Sequence, residues 1–548
     1  MASRLTTFII VLIVTGTVIA GLIVGAQRDE VAGPVDLIVT NGRVFTGAHQ
    51  EYAEAVAIQG NKILQVGSNR EIKRLRRPQT LMLDAHGASV LPGFIDAHVH
   101  LADAARARAG VDLADAGTAD ALALRIREFA EAHPDAEWIR GRGWSYDLFP
   151  GGLPTRHALD AIVAERPAYL VADDGRTAWA NSEALRLAGI TRHTPNPAGG
   201  LILRDPRTGE ATGALRDAAQ ALVAGALPEP TATEQLEGLL AAIREAHAVG
   251  VTSVHSIGDT VEELELYDAV RAAGALQLRV YSALAISTWS ESEAARLDAL
   301  QQRYPDDPLL KTGAVVVGVA AATQPLVTAA HQTIRTAGDL AALVTYFDGR
   351  GWQTLVEAST PGEISAALDA FEAAQRANPS PERRRHRIDH GTSLDGALTD
   401  RLAAVGVAVD VAAGPEDEFA AWRLILDAGG RVAFGSDWPS SLAGPGERLA
   451  AAAAEPVEPA VADVQEAEPP AVERRVALDE AIEASTATPA WASFDDQRKG
   501  RLARGMLADL IILNTDIFKP DASLTRAIVE TTIFDGKVVY TRMPVGTH

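Results

Sequence analysis

The sequence predicts an α/β protein built on a (β/α)8 barrel, with a small composite β-sandwich and an apolar N-terminal segment outside it. Three observations carry that expectation. Short apolar runs of strand length recur through the middle of the chain and alternate with helical patterns, as buried parallel strands and their crossovers require. Both ends carry hairpin patterns instead, with apolar and polar residues alternating across Asn-Gly and Asp-Gly turns. The first thirty residues contain a long uncharged run. At 548 residues the chain has room for a TIM barrel of ~250 residues, an accessory domain and an insertion.

From the start of the chain, Arg4 precedes an uncharged stretch from Leu5 to Gln27 centred on Phe8-Ile-Ile-Val-Leu-Ile-Val, with Asp29 and Glu30 beyond it. The stretch approaches the ~20 residues that span a bilayer and exceeds the ~7–15 of a signal-peptide core. A single-pass anchor or signal segment over residues 1–30 is therefore expected. The basic end would stay inside and the body would lie on the outer face of the cytoplasmic membrane. Val24 and Ala26 also suit cleavage after Ala26, which would release a periplasmic or secreted body.

Next, Val35–Phe45 and Ala55–Val66 alternate across Asn41-Gly42 and Gly60, and Ala508–Leu513 and Thr532–Tyr540 mirror them near the C-terminus. Joined, residues 35–90 and 500–548 form the expected β-sandwich, with the barrel of residues 91–499 inserted between its halves. Barrel strands are expected near 91–96, 251–256, 278–283, 313–319, 353–358, 386–390, 406–411 and 431–436. Between them, Ile364, Leu368 and Phe371 share a helical face, as do Leu394, Leu398, Leu402 and Val405 before the stop at Gly406. Residues 102–245 exceed one crossover and read as a lid. The Glu/Pro/Ala-rich stretch near 452–474 reads as a surface loop.

A net charge of -22 argues against nucleic acid as a partner, because phosphate binding needs clustered Lys and Arg. Membrane contact is expected through the N-terminal segment alone, a small molecule is the expected substrate, and self-association stays open. The chain has no cysteine, which excludes disulfides, thiolate ligands and a cysteine nucleophile. Any metal must bind to nitrogen and oxygen.

Leu91-Pro-Gly-Phe-Ile-Asp-Ala-His98-Val-His100 places two imidazoles two residues apart after an apolar run, so both can face one ion from a strand end. Far downstream, Arg431-Val-Ala-Phe-Gly-Ser-Asp437-Trp-Pro ends another apolar strand in a carboxylate. These segments resemble the amidohydrolase superfamily, in its amidohydrolase 3 or YtcJ-like branch, where PGFxDxHxH opens the barrel and GSDWP closes it. In the same order, Arg385-His-Arg-Ile-Asp-His390 is similar to the family's RHRIEH, and Asn181-Ser-Glu-Ala-Leu-Arg with Pro197-Ala-Gly-Gly is similar to its lid insertion.

The chain departs from that pattern in three places. Val316 stands where the family carries a bridging lysine on the fourth strand, with Ala320-Ala321 in place of Asp-Gly. Glu357 replaces a ligand histidine on the fifth strand, and Asp174-Gly175-Arg176 replaces Asp-Gly-His in the lid. Without the lysine, the carbamate that bridges two metals in many relatives cannot form.

The resemblance thus implies one divalent ion per chain, Zn2+ by its donors, held by His98, His100 and Asp437. Such an ion supplies hydroxide near neutral pH and acts as a Lewis acid, with Asp437 shuttling the proton. Glu357 is either a further oxygen ligand or the partner of a nearby arginine. His390 binds the ion, substrate or a second weak ion, or is a core histidine; His255 is a replacement ligand facing the cavity or a core histidine. Arg176 either clamps a substrate carboxylate or solvates a face. The expected activity is hydrolysis of non-peptide C–N bonds in amide-like or cyclic amide substrates. The alternative is a catalytically inactive relative that keeps the fold for ligand binding or interaction.

Overall fold

A computed structural model describes residues 34–542 apart from 48–51, 115, 287–289, 320–332, 335–336, 380–383, 392–393, 395, 412–415, 440–441, 443, 447, 450–475 and 521. The expected anchor, Ala320-Ala321 and the 452–474 stretch therefore lie outside the described residues. No helix among the described residues is long and apolar enough to cross a membrane.

Eight parallel strands form the centre: β1 (Phe94–Val99), β2 (Val251–Asp259), β3 (Arg279–Ala285), β4 (Leu310–Val319), β5 (Gln353–Glu357), β6 (Arg387–Asp389), β7 (Ala408–Val411) and β8 (Arg431–Phe434). Each pairs with the next in a continuous sheet from β1 to β8. A single bridge between Val99 and Trp438, just past β8, brings the two edges together and nearly closes the barrel. The resulting TIM-barrel arrangement points every strand's C-terminal end to one mouth.

The crossover helices explain themselves locally. Helix Pro361–Ala377 starts with a capping box between Thr360 and Glu363 and Pro at its first turn, then buries Ile364, Ala367, Leu368, Phe371 and Ala374 along one stripe. Full burial of each large side chain in that stripe contributes roughly 1.5–3 kcal/mol. Phe371→Ala, which also removes a stack on His386 at 4.9 Å between centroids, is the change most damaging to this contact.

The first expected barrel strand, 91–96, is in fact split. Ser89–Pro92 pairs antiparallel with Leu510–Leu513, and β1 begins only after Gly93. A Cβ on Gly93 would lie 2.3 Å from the Thr252 hydroxyl, so the backbone can turn from one sheet into the other only without a side chain. Residues from both chain ends build two sheets: a four-stranded one over 37–84, and a six-stranded one joining 43–45, 52–53 and 89–92 to 510–541. Val39, Val56, Ile58, Val90, Leu510, Ile512 and Ile533 fill the space between them.

Between β1 and β2 the chain forms a separate six-stranded sheet over residues 111–217, packed around Trp144, Trp179, Leu170, Leu122 and Ile126. The following helix, Ala232–Ala248, falls largely within the expected 102–245 lid but belongs to the barrel layer. Its Leu239, Ala242, Ile243 and Ala246 join the main core with Leu101, Ala104 and Ala105, and Gly238 lets the two helix backbones approach.

Candidate metal centre

All six residues of β1 are buried, and the strand hands over to helix Leu101–Arg108 at His100. The loop after β8 is laced to that strand end. The Asp437 amide donates to the His98 carbonyl at 2.9 Å, and the His100 amide donates to the Trp438 carbonyl at 2.7 Å. Gly435 permits the approach, since a Cβ there would meet the His98 Cβ at 2.5 Å. Asp96, fully buried, accepts the Ser436 amide at 2.8 Å and an Arg448 N–H at 2.5 Å, bracing both sides of the junction.

This lacing brings one carboxylate oxygen to both imidazoles. Asp437 Oδ1 lies 3.4 Å from His100 Nε2 and 3.8 Å from His98 Nε2. Two donors at 2.0–2.2 Å from a tetrahedral zinc are about 3.3–3.6 Å apart, so the three residues nearly match a ligand set. His100 Nδ1 lies 3.0 Å from the Ile257 carbonyl, which can only accept, so Nδ1 carries a proton and Nε2 is the nitrogen that faces Asp437. Asp437 holds its unusual position at φ +54°, a backbone conformation that a non-glycine residue adopts only when its surroundings impose it.

The donor chemistry fits a divalent ion on a second ground. His98 Nδ1 faces the Asp389 carboxylate at 3.2 Å, and the buried Nε2 has no hydrogen-bond partner, an arrangement that costs free energy unless something else satisfies it. His98 is almost fully enclosed, whereas the side chains of His100 and Asp437 are 29% and 39% exposed, so the set opens toward solvent on one side. Catalytic zinc sites need such an opening for water and substrate. The hydrogen bond with His100 holds the Asp437 carboxyl below its usual range, and the same contact raises His100 against the opposing effect of burial.

A family model described as the amidohydrolase family matches residues 82–540. The chain belongs to the amidohydrolase family. One relative of this amidohydrolase is N-substituted formamide deformylase of Arthrobacter pascens, 29% identical over 547 residues, covering 92% of this chain and 98% of that protein. Another is Protein LONG AFTER FAR-RED 3 of Arabidopsis thaliana, 29% identical over 546 residues, covering 92% and 91% respectively. Among solved structures, an uncharacterized metal-dependent hydrolase from Pyrococcus furiosus superposes with a TM-score of 0.62 at 21% identity, covering 88% of this chain and 100% of that one.

The remaining expected site residues of the amidohydrolase are placed less uniformly. His390, at φ +62° directly after β6, has its ring 4.7 Å from that of His98 and is depressed in pKa by desolvation and by His98. Glu357 ends β5 in register with Asp389 and acts electrostatically on His390. Neither joins a group of three close ligand atoms among the described residues, whereas His98, His100 and Asp437 do. His255 is fully buried in the barrel, where its Nδ1 lies 3.0 Å from an Arg387 N–H and its ring packs edge-on to Tyr281. Burial and the Arg387 charge push its pKa well below the usual value, so it is a neutral acceptor for arginine. Arg176 is mostly exposed; its side chain pairs with Asp217 at 3.4 Å, beside a lid cavity lined by Tyr146, Asp174, Thr177 and Arg216. That pair holds Arg176 within the lid.

Sequence reasoning missed Arg387, Asp389 and Asp410. His98, Asp389 and Asp410 form a second group of close ligand atoms, fully enclosed inside the barrel. The signal was present in Arg387-Ile-Asp389 and Val409-Asp410-Val411, where charges interrupt apolar strands. A charge in the middle of a buried parallel strand needs a partner.

Proposed function

We propose that this amidohydrolase is a single-metal hydrolase of non-peptide C–N bonds in small amide-like or cyclic amide substrates, with His98, His100 and Asp437 holding one Zn2+ or similar ion. The observation carrying this reading is the single Asp437 oxygen faced by the Nε2 atoms of both histidines, that of His98 being buried without a hydrogen-bond partner. An ion there supplies Lewis acidity and lowers the pKa of water to roughly 7. Asp437, ionised and reaching solvent, takes a proton from attacking water and passes it to the leaving nitrogen. His100, fixed through Ile257, holds the carboxylate's orientation. His390, at the same mouth, is placed to contact substrate.

The count of one ion is supported by β4. Val316, at the position expected for a bridging lysine, is fully buried in an apolar cluster with Ile257, Tyr281, Ala283, Ala314 and Leu355. The valine side chain offers no ligand atom there. We also propose that the Leu5–Gln27 segment places the body outside the cytoplasmic membrane, anchored or released after Ala26. Fractionation with an intact N-terminal mass tests this, and a cytoplasmic soluble protein retaining Met1 refutes it.

For the activity, metal analysis of protein purified without chelator is expected to give about one equivalent per chain. Turnover is then sought on N-substituted formamides, the substrates named for the Arthrobacter relative, and on cyclic amides. Absence of metal after reconstitution rejects the hydrolase and leaves the inactive relative.

A further inference from the structure

The sheet over residues 111–217 leaves a cleft against the barrel. Its strands Val111–Asp112, Ile139–Trp144 and Ala168–Ala172 run parallel, and their C-terminal ends, at Asp112, Arg142 and Asp173, open into a cavity of about 710 Å3. The opposite wall is helix Leu101–Arg108 with helix Ala232–Ala248, which contribute Arg108, Leu240 and Glu245. A crevice beyond the carboxyl ends of parallel strands is where open α/β sheets take their ligands. His98, His100 and Asp437 do not line it.

The acids of this cleft are all engaged. Arg108 makes a two-pronged pair with Glu245, His133 Nε2 lies 3.2 Å from Glu237, and Asp112 and Asp173 accept the Ala114 and Asp174 amides at 3.0 and 2.8 Å. Arg142 is left over. It is half-buried, and among the described residues its guanidinium has neither a hydrogen bond nor an ion pair, although Asp112 stands opposite it in the register of the two strands. Burial and the neighbouring Arg108 charge push its pKa below the usual arginine value, as expected of a cation short of a counter-ion. Phe129, Val111 and Leu240 add an apolar wall beside it.

We propose that this cleft is a second small-molecule site, taking a monocarboxylate with an apolar body: the carboxylate pairs with Arg142 and the body lies on Phe129, Val111 and Leu240. An arginine fork matches a carboxylate through two parallel N–H···O bonds. The four surrounding acids disfavour a dianion such as phosphate, whereas one unpaired guanidinium balances a single negative charge. Apolar walls with a few placed polar groups are the ordinary make-up of small-ligand pockets. The site borders the metal centre without belonging to it: Arg108, in its wall, lies over the ring of Trp438 at 5.0 Å, one residue from Asp437.

The test is calorimetric titration of the full chain, stripped of metal with chelator so that no carboxylate can bind through an ion. Phenylacetate is expected to bind at a single site, and its neutral isostere phenylacetamide and inorganic phosphate to bind about tenfold more weakly or worse. Arg142→Gln, with the fold checked by circular dichroism, should lose about tenfold or more in phenylacetate affinity, and Arg142→Lys should lose less. Equal affinity of the parent and Arg142→Gln, no saturable binding to the chelated parent, or tighter binding of phosphate overturns the inference. Should Arg142→Gln not fold, crystals of the parent soaked with para-bromophenylacetate decide. Anomalous bromine density in the cleft beside Arg142 supports the inference, and density only elsewhere overturns it. No outcome reads metal content, so the inference stands or falls apart from the hydrolase reading.

Discussion

The two ends of the barrel both bury charges, and they do so differently. At the floor, Arg279 makes a two-pronged pair with Asp509 at 2.6 and 2.9 Å, reaches Asp535 at 2.9 Å and lies over the Phe534 ring at 4.8 Å. Nearby, Lys311 meets Asp495 at 2.8 Å, and Lys499 donates to Ser253 at 2.6 Å. These groups answer one another, and they fasten β2, β3 and β4 to residues from the C-terminal part of the chain. At the mouth, His98 Nε2 is buried with no hydrogen-bond partner, and Asp437 and His390 hold strained backbone. The floor is complete as folded; the mouth is arranged for something the chain does not itself contain.

If that contrast is correct, the largest effect belongs to the mouth. Asp437→Asn keeps the volume but removes the charge, and turnover should fall by about 10³-fold or more, with lost metal and an unchanged circular dichroism spectrum. Retained turnover removes Asp437 from the chemistry. At the floor the roles reverse. Arg279→Ala leaves Asp509 and Asp535 without their cation and should cost roughly 3–5 kcal/mol in denaturant unfolding. Metal content per folded molecule should not change, and a loss of metal there would break the distinction between the two ends.

A third effect comes from between them. Asp259, at the end of β2, is buried among the Ser256, Ser282 and Tyr267 hydroxyls, and burial raises its pKa from the usual 3.8 to about 7. A carboxyl whose folded pKa exceeds its unfolded value contributes most below the unfolded pKa and loses that contribution as pH rises through the folded one. Stability should therefore decline between about pH 4 and pH 7 through this group, and Asp259→Asn should flatten the decline by roughly 4 kcal/mol. Parallel profiles for the two proteins would show that Asp259 stays ionised in the fold. The smallest effect is expected for Glu357→Gln, which should leave metal occupancy unchanged because Glu357 stands outside the group of three ligands. A clear drop in affinity would bring β5 into the centre.

Strand periodicity made the barrel legible, and the His98/His100 spacing with the strand-end carboxylate of Asp437 pointed to three side chains that the fold does bring together. The Gly93 break was hidden, since Ser89–Pro92 and Phe94–Val99 form one apolar run and only the contact with Thr252 separates them. The Ala232–Ala248 helix was hidden for a similar reason: an apolar stripe shows that a helix is buried but not against which neighbour. Arg387 was overlooked because its meaning lies in Asp410, on the next strand, and in His255, 132 positions away. Pairing across strands is written in the fold and only weakly in either segment.

The junction of β1 with the loop after β8 has a temporal consequence. Asp96 and Ser436 meet across 340 positions of chain, and the three proposed ligands stand on both sides of that junction. A growing chain therefore cannot assemble the proposed centre until nearly all of it has been synthesised, and closing the cylinder and acquiring an ion would become a single event. An ion held there, as proposed, would act as a clasp. Chelation should register first as faster hydrogen exchange at the Asp437, His100 and Ser436 amides, which cross the junction, before any other part of the barrel loosens.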